Sequence, residues 1–411
     1  MASSSASSIG GVLTTCSFLF RMAATTAYAR IVVDGSASAS HYETSRVNWV
    51  AMIIDRIDPI ALRLPIKRPA GADALYLVLC RVTVRSGLVG YGECLCLRPA
   101  LQRSLVAAIR DAIAPLFLGK SVDQRERLNV EARIRLASFG RAGTNLNALA
   151  AVDMALWDIS GKAAGRSLSA LLGGAQRSRV PVMASLDRCN DAAKVTARIA
   201  QALDARVAAV KVHEFDLDVI EAARRVAGPQ IPFVADCNNA HTMADVQAQL
   251  ARWQALDLLF LEDPAWPPEA LLEAPPFPRV TVGSGADLGS AEQLAVYARA
   301  PSVGVVQPDI CMIGGVSEVR RAMALLAPLG VSIAPHTPFI GPAALATLHV
   351  LAAMKEVAYF AVIEAEPHMD MYGDSGFTRW QPDLGVPAGP GLGVDPDPSY
   401  LKRYALDLPT A

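Results

Sequence analysis

The sequence lacks three features that would each point to a particular class of protein. It has no excess of either charge, since 38 basic residues face 39 acidic ones and the net charge is −1, so nothing favours binding to nucleic acid or to an anionic membrane. No apolar run approaches the roughly 18–20 residues of a membrane-spanning helix. The seven cysteines are scattered and include no CxxC pair, which predicts reduced thiols, a cytoplasmic protein and no structural zinc.

Residues 1–51 also lack the patterns of a folded domain. They are rich in Ser and Ala and carry no acidic residue among the first 33 positions. One interpretation is a transit-like presequence. The other is an overlong start, with the working protein beginning near Met52. We favour the second interpretation and leave this leader out of the fold prediction.

The first patterned part of the chain is a strand-rich segment followed by helices. Strands are predicted at Ile53–Leu62, Leu75–Val84 and Leu88–Glu93, and helices at Leu105–Ala114 and Leu146–Lys162. A turn at Arg85-Ser-Gly87 joins the last two strands as a hairpin. Asp153 and Asp158 in the second helix are expected to form hydrogen bonds between domains and not to act in catalysis. Strands followed by helices indicate a separate, smaller α+β domain over residues 52–178.

The rest of the chain alternates between short apolar runs and helical periods. Strands are predicted at Val180–Ser185, Val207–His213, Pro232–Asp236, Leu258–Glu262, Val280–Ser284, Val303–Gln307, Val331–Pro335 and Ala358–Glu364. Helices are predicted between them, for example at Ala192–Leu203, Asp216–Val226, Met243–Leu256 and Ser290–Ala298. A strand, a helix and two loops take roughly 25–30 residues, so residues 179–375 are predicted to form a modified (β/α) TIM barrel. The last unit lacks a normal eighth helix, and residues 376–411 are expected to return to the smaller first domain.

Polar residues follow the predicted strands at intervals of 22 to 28 residues. They are Lys211, Asp236, Glu262, Asp287, Asp309, His336 and Glu364. Because the C-terminal ends of parallel strands meet at the mouth of a barrel, these side chains are expected to converge. Carboxylates from three successive strands, Asp236, Glu262 and Asp287, are hard oxygen ligands that suit Mg²⁺. The alternative is a salt bridge at each position, and the repeated spacing favours the metal site.

A histidine with a carboxylate on the neighbouring strand is an oriented base. His336 ends the seventh predicted strand and Asp309 lies just past the sixth, so the carboxylate would fix the imidazole tautomer and raise its basicity. Lys211, across the predicted metal site, could act as a second base or orient a substrate carboxylate. The alternative for His336 is a packed or capping group, which a lysine across the metal site makes less favourable.

Short motifs give the chain from Met52 onward a resemblance that is specific because they occur in order and at barrel spacing. They are Met154-Ala-Leu-Trp-Asp-Ile-Ser-Gly-Lys162, Leu171-Leu-Gly-Gly174, Lys211-Val-His213, Ala235-Asp-Cys-Asn-Asn239, Leu261-Glu-Asp-Pro264, Val306-Gln-Pro-Asp309, Gly314-Gly315 and Pro335-His336. Together they resemble the mandelate racemase subgroup of the enolase superfamily. The resemblance implies a capping domain over a modified barrel, a Mg²⁺ cofactor, and abstraction of the proton α to a carboxylate.

The same resemblance implies roles residue by residue. These are metal ligand for Asp236 and Glu262, general base and its partner for His336 and Asp309, first lysine of a Lys-x-Lys pair for Lys211, and substrate-contacting carboxylate for Glu364. Loops at 65–73 and 94–99 would close over the substrate and select it.

Two positions depart from the family pattern. The second lysine of the pair is replaced by His213, which could act as an acid, a base or a substrate-binding group. The third metal ligand is usually a Glu directly after a Gly, but Ala286 follows Gly285 and the acid Asp287 comes one residue later. We expect Asp287 to serve as the ligand. The alternative is a site with two protein carboxylates and water.

These departures decide which activity is expected. Without a second lysine, dehydration of a sugar acid (an aldonate or aldarate) to a 2-keto-3-deoxy acid is favoured over racemisation or epimerisation of a 2-hydroxy acid or an amino acid derivative. The missing ligand leaves a third alternative, a non-catalytic barrel that has kept the fold. Lys67, Arg68 and Arg98 in the capping loops suit an anionic or polyhydroxy ligand, and ordinary solvated charge explains them equally well. A homo-oligomer acting on a small-molecule carboxylate is expected.

Overall fold

Two β-sheets organise the structure, one small and antiparallel, the other parallel and curled. The computed structural model describes residues 52–66, 73–363, 365, 371–373 and 375–408, which all fall within one compact unit. The predicted leader, Lys67, Arg68 and Glu364 lie outside the described residues. Within those ranges, no helix is both long enough and apolar enough to cross a bilayer.

The small sheet belongs to the N-terminal part of the described chain. Its antiparallel strands, paired in chain order, are β1 (Ile54–Leu64), β2 (Leu75–Val84) and β3 (Val89–Cys94). The helices that follow are α1 (Ala100–Ala107), α2 (Ala114–Phe117), α3 (Arg125–Leu136), α4 (Thr144–Ala164) and α5 (Leu168–Leu171). The predicted strands, hairpin and long second helix are confirmed. The predicted helix at Leu105–Ala114 instead starts earlier, as α1, and continues as a π-helical segment, Ala108–Ile113.

Helix α4 lies so close to β3 that only glycine fits between them. A Cβ atom added to Gly92 would lie 1.8 Å from the carbonyl oxygen of Ala151, and one added to Gly90 would lie 2.2 Å from that of Ala155. Almost every residue of α4 from Leu146 onward is buried, because this helix packs between the small sheet and the barrel. The close packing fixes the position of β3.

The parallel sheet contains all eight strands predicted from the alternation. They are β4 (Arg179–Leu186), β5 (Ala209–Val212), β6 (Phe233–Asp236), β7 (Phe260–Glu262), β8 (Val282–Ser284), β9 (Val303–Val306), β10 (Ser332–Ile333) and β11 (Phe360–Ile363). Their order is β10-β9-β8-β7-β6-β5-β4-β11, so among the described residues no ladder joins β10 to β11. The sheet forms a curled barrel with a seam between these two strands, and the predicted fold class is confirmed.

Helices alternate with these strands as predicted. They are α6 (Ala192–Asp204), α7 (Leu217–Ala227), α8 (Met243–Ala248), α9 (Leu250–Ala255), α10 (Ala270–Glu273), α11 (Ala291–Tyr297), α12 (Val316–Leu326) and α13 (Pro342–Ala353). Side chains cap the first turns of α6, α7, α8 and α11, where Asp191, Asp216, Thr242 and Ser290 accept hydrogen bonds from backbone N–H groups. The helix predicted at Met243–Leu256 is wrong in one respect, because the structure divides it into α8 and α9.

The last described segment contacts both sheets. Strand β12 (Asp383–Gly385) pairs antiparallel with β4, and helix α14 (Pro398–Tyr404) packs against the small sheet through Leu401. Beyond α14, the backbone N–H of Leu406 donates a hydrogen bond to the carbonyl of Ala61 at 2.8 Å. The last described residues therefore lie beside β1.

Two buried aspartates of α4 join the capping elements to the barrel and to the tail. Asp153 accepts hydrogen bonds from the N–H and hydroxyl of Ser317, at 2.9 and 2.6 Å, and from the amide of Asn129 at 3.0 Å. Burial raises the pKa of Asp153 to about 6, although these hydrogen bonds oppose the shift. Asp158 accepts a hydrogen bond from the N–H of Leu392 at 2.9 Å. The predicted hydrogen-bonding role of both aspartates is confirmed.

Glu93, on β3, is a further buried carboxyl between the two sheets. Its Oε2 accepts a hydrogen bond from the N–H of Ala343, in the first turn of α13, at 2.9 Å. Burial raises the pKa of Glu93 to about 8, although hydrogen bonds from the backbone N–H groups of Ala343 and Gly341 lower it. Glu93 therefore holds its proton more tightly in the folded protein than in the unfolded chain.

Replacing Glu93 by glutamine is expected to weaken the pH dependence of stability. As pH rises from about 4.5 to 8, the unfolded wild-type chain loses this proton and the folded protein keeps it, so the free energy of unfolding should fall by up to about 1.4 kcal/mol per pH unit. Glu93→Gln has no proton to lose. Urea unfolding at pH 5, 6.5 and 8 measures the difference, and Glu356→Gln, at an exposed position, is the control. Parallel curves for the wild type and Glu93→Gln would contradict this assignment.

Candidate active site

Lys211, Asp236 and Glu262 lie on three neighbouring strands, near their C-terminal ends. Strand β5 pairs with β6, and β6 pairs with β7 so that Asp236 stands opposite Glu262. All three side chains are buried. Residues two apart on a strand face the same side, so these three continue the inward-facing column that the apolar residues of the barrel interior begin, namely Ala209, Val234 and Phe260.

The lysine lies between the two carboxylates. Lys211 Nζ is 3.0 and 3.1 Å from the two carboxylate oxygens of Glu262 and 3.2 Å from Asp236 Oδ2. Burial alone would lower the pKa of Lys211, but the charges of Glu262 and Asp236 raise it above its usual value. Lys211 is therefore an ammonium group in this arrangement, which favours charge neutralisation over the role of a neutral base.

His213 contacts the same group of charges. Its Nε2 lies 3.2 Å from Asp236 Oδ2, and its Nδ1 lies 2.6 Å from the carbonyl oxygen of Leu186. Both ring nitrogens of His213 thus face oxygen atoms of the protein. Burial would raise the pKa of Asp236, but Lys211 and His213 hold it well below its usual range.

The predicted histidine–aspartate pair is present. His336 Nδ1 is 2.7 Å from Asp309 Oδ2, and the other oxygen of Asp309 accepts hydrogen bonds from the N–H groups of Cys311 and Met312 at 2.7 and 2.9 Å. Burial would lower the pKa of His336, but the hydrogen bond and charge of Asp309 raise it. His336 lines a cavity of about 270 Å³ together with Lys211 and Glu262. With Nδ1 held by Asp309, Nε2 is the nitrogen left for proton transfer.

A side chain bridges the seam beside this pair. Thr337 Oγ1 accepts a hydrogen bond from the N–H of Ala361 at 2.7 Å and lies 3.4 Å from the carbonyl oxygen of the same residue. Strand β10, which precedes His336, and strand β11 are thus linked where the backbone ladder is missing. The bridge restrains the segment that carries the histidine.

The structure does not bring Asp287 to the other two predicted ligands. A turn closed by Leu288 N–H and Gly285 O, at 3.2 Å, leaves Asp287 exposed and Ala286 buried. Within the described part of the chain, no cluster of three or more His, Cys, Asp or Glu residues could hold a metal ion. The expectation that Asp287 reaches the site is therefore corrected, because the turn places the neighbouring alanine inside. Glu364 lies outside the described residues.

Two site residues were missed in the sequence. Gln307 lines the cavity, is 3% exposed, and its side-chain oxygen has no hydrogen-bond partner among the described residues. Asp263, which follows Glu262, accepts a hydrogen bond from the Ser284 hydroxyl at 2.7 Å, and burial, followed by the charge of Glu262, raises its pKa to about 7. Position 307 ends a predicted strand, so the alternation could have placed Gln307 inside the barrel.

The sequence matches two family descriptions. Residues 56–173 match the N-terminal domain of the mandelate racemase/muconate lactonizing enzyme family, and residues 194–400 match the enolase C-terminal domain-like family. The chain is 30% identical to D-galactarolactone cycloisomerase of Agrobacterium fabrum, over 81% of this chain and 92% of that protein. It is 28% identical to D-gluconate dehydratase of Thermoproteus tenax, over 88% of this chain and 76% of that protein.

Solved structures agree with this placement. A member of the enolase superfamily from Polaromonas sp. JS666 has a TM-score of 0.76 and 27% identity, with 87% of this chain and 99% of that one covered. A mandelate racemase/muconate lactonizing protein from Paracoccus denitrificans, complexed with magnesium, has a TM-score of 0.75 and 25% identity over the same shares. Since the match at residues 194–400 alone spans half of the 411 residues, the chain belongs to the mandelate racemase/muconate lactonizing enzyme family of the enolase superfamily.

Proposed function

We propose that this enzyme removes the proton α to the carboxylate of a sugar acid and then eliminates water, giving a 2-keto-3-deoxy acid. The observation that carries the proposal is the His336–Asp309 pair, which shares one cavity with Lys211 and Glu262. Relatives named D-gluconate dehydratase, arabinonate dehydratase and D-galactonate dehydratase support the substrate class. Membership of the family makes the chain a lyase or an isomerase.

The residues present fit a Mg²⁺ ion, which we propose as the cofactor. Asp236 and Glu262 place two carboxylates side by side on adjacent strands. Gln307 lines a cavity together with Glu262, and its buried side-chain oxygen has no partner among the described residues. Hard oxygen donors of this kind are what Mg²⁺ selects, and it readily keeps water or substrate oxygens as its other ligands. When bound, the ion would supply positive charge against the substrate carboxylate as negative charge develops there.

His336 is the proposed general base. Its Nε2 would take the α-proton, while Asp309 holds Nδ1–H and stabilises the imidazolium that results. The Lys211 ammonium group faces the same cavity and would offset the negative charge on the substrate. The protonated His336 would then return its proton to the departing β-hydroxyl, which leaves as water. Asp236, Glu262 and His336 are thus proposed as two ligands and one acid–base catalyst.

The position of His213 favours elimination over racemisation. A two-base racemase needs a free acid or base on the second face of the substrate carbon, but both nitrogens of His213 already face Leu186 O and Asp236. His213 is therefore proposed to position Asp236. The intact His336–Asp309 pair argues against the third alternative, a barrel without activity.

Incubation with a panel of aldonates and aldarates in D₂O tests the proposal. With millimolar Mg²⁺ we expect a 2-keto acid product from at least one acid, and loss of that product when the ion is chelated. Deuterium incorporation at the α-carbon without a keto acid would contradict elimination and favour a racemase or epimerase. No exchange and no product across the panel would contradict the proposed function altogether.

A further inference from the structure

We propose that Gln307 is a third protein ligand of the metal ion, its side-chain oxygen replacing the carboxylate that is missing at position 286. The inference rests on the proposed function, because it assumes a cation at Asp236 and Glu262. It concerns a residue to which neither the motifs nor the catalytic pair gives a role. The amide is neutral, so the protein would hold the cation with two negative charges instead of three.

The side-chain oxygen of Gln307 lies beside Gly283. Glu262 stands opposite Asp236 on one side and opposite Gly283 on the other, so these three positions form one row across β6, β7 and β8. A Cβ atom added to Gly283 would lie 3.0 Å from Gln307 Oε1. The amide oxygen and the Phe260 ring therefore share the space that a side chain at Gly283 would fill, beside the row of backbone positions that carries the two carboxylates.

The side-chain oxygen of Gln307 is buried and has no hydrogen-bond partner among the described residues. Gln307 is 3% exposed, and Oε1 accepts no hydrogen bond within the described ranges. Its backbone is held, since its N–H donates to the carbonyl of Ser284 at 3.0 Å. A buried acceptor left unpaired is costly and calls for an explanation such as an ion. The cavity that Gln307 lines also contains Glu262, Lys211 and His336.

The amide oxygen of Gln307 is also a suitable ligand for a divalent cation. Amide carbonyl oxygens are hard, neutral ligands that divalent cations accept alongside carboxylates. Two carboxylates balance the charge of Mg²⁺, so a neutral third ligand leaves the positive field at the site less compensated than three carboxylates would. Such a site should bind Mg²⁺ less tightly than a three-carboxylate site and attract an anionic substrate more strongly.

Calorimetric titration of Mg²⁺ into the metal-free full chain tests the inference without any substrate. Gln307→Leu is expected to weaken Mg²⁺ binding at least about 10-fold, because removing a group that only orients a metal ligand already costs roughly 10- to 100-fold. Gln307→Glu, which puts a carboxylate in the same place, is expected to tighten it. Ala286→Glu added to Gln307→Leu should restore affinity. Gln247→Leu, at an exposed position of α8, is the matched control and should leave affinity unchanged.

The outcomes separate this inference from the proposed function. If the wild type binds Mg²⁺ and both Gln307 variants bind it with wild-type affinity, Gln307 is not a ligand and the proposed function stands. A raised KM for the acid with unchanged Mg²⁺ affinity would likewise overturn the inference, because the amide would then contact substrate. If the wild type itself binds no Mg²⁺ at millimolar concentration, the proposed cofactor and this inference both fail. Should Gln307→Leu unfold, Gln307→Glu alone decides.

Discussion

Replacing His336 by asparagine is expected to lower kcat at least about a thousandfold, with loss of α-proton exchange. Positioned general bases contribute roughly 10²–10⁴-fold, and here the same group would also protonate the leaving hydroxyl. The asparagine amide can still donate a hydrogen bond to Asp309, but it cannot take up the substrate proton. The measurement is keto-acid formation together with deuterium incorporation in D₂O, since removal of the base should abolish both.

Two histidines on the same chain serve as comparisons for His336. His213→Asn should lower kcat less than His336→Asn does, because His213 acts only by positioning Asp236. His349→Asn should lower kcat least, because the buried His349 side chain contacts the carbonyl of Leu392 and not the site. If His213→Asn abolished exchange and His336→Asn did not, the two roles would have to be reversed. In the wild type the rate should fall as pH drops through the pKa of His336, which Asp309 raises.

The pH limb follows from the sign of the shift at His336. Only the neutral imidazole accepts the α-proton, so protonation at low pH removes the active form. Burial lowers the pKa of His336, but the hydrogen bond and the charge of Asp309 together raise it above its usual value, so the loss of activity should begin at a higher pH than for an ordinary histidine. An acid limb well below the usual histidine range would mean that His336 is not the base.

The barrel could be predicted from sequence because its signals are local. Each short apolar run is followed by a loop and a helical period, and all eight strands occur where that alternation placed them. The His336–Asp309 pair was predictable for the same reason, since parallel neighbouring strands bring their C-terminal residues together. The break between α8 and α9 was not, because one residue, Gln249, interrupts a helical period that is otherwise continuous.

The details of the site depended on contacts between distant segments. Whether Ala286 or Asp287 faces inward is set by the turn after β8, which the spacing of acids along the chain does not encode. Gln307 and Phe260 come together beside Gly283 only once β7, β8 and β9 are paired. The hydrogen bond between Thr337 and Ala361 likewise depends on the curling of the sheet, which brings its two end strands, β10 and β11, next to each other. Sequence periodicity predicts which end of the barrel carries the site residues, but it does not predict which residues of distant segments they contact.

Lys211 shows how such partners change a residue's expected role. From sequence alone it could be a neutral base, but the charges of Glu262 and Asp236 keep it protonated. Lys211 Nζ lies within 3.2 Å of both buried carboxylates, and His213 Nε2 lies 3.2 Å from Asp236. Its contribution to the stability of the metal-free protein can therefore be tested separately from its contribution to catalysis.

Replacing Lys211 by methionine is expected to destabilise the metal-free protein by about 3–5 kcal/mol, the usual result of removing one partner from a buried ion pair. Methionine keeps the volume but removes the positive charge that lies against both Glu262 and Asp236. Because Mg²⁺ would satisfy the same carboxylates, it should raise the Tm of the variant more than that of the wild type. Thermal unfolding with and without Mg²⁺ measures both effects.

Lys194→Met removes a lysine whose side chain is 71% exposed beside Asp191 and should change stability by no more than about 0.5 kcal/mol. Equal Tm values for Lys211→Met and Lys194→Met without metal would show that Lys211 does not stabilise the two carboxylates. If Mg²⁺ raises the Tm of Lys211→Met no more than that of the wild type, Mg²⁺ does not bind at Asp236 and Glu262.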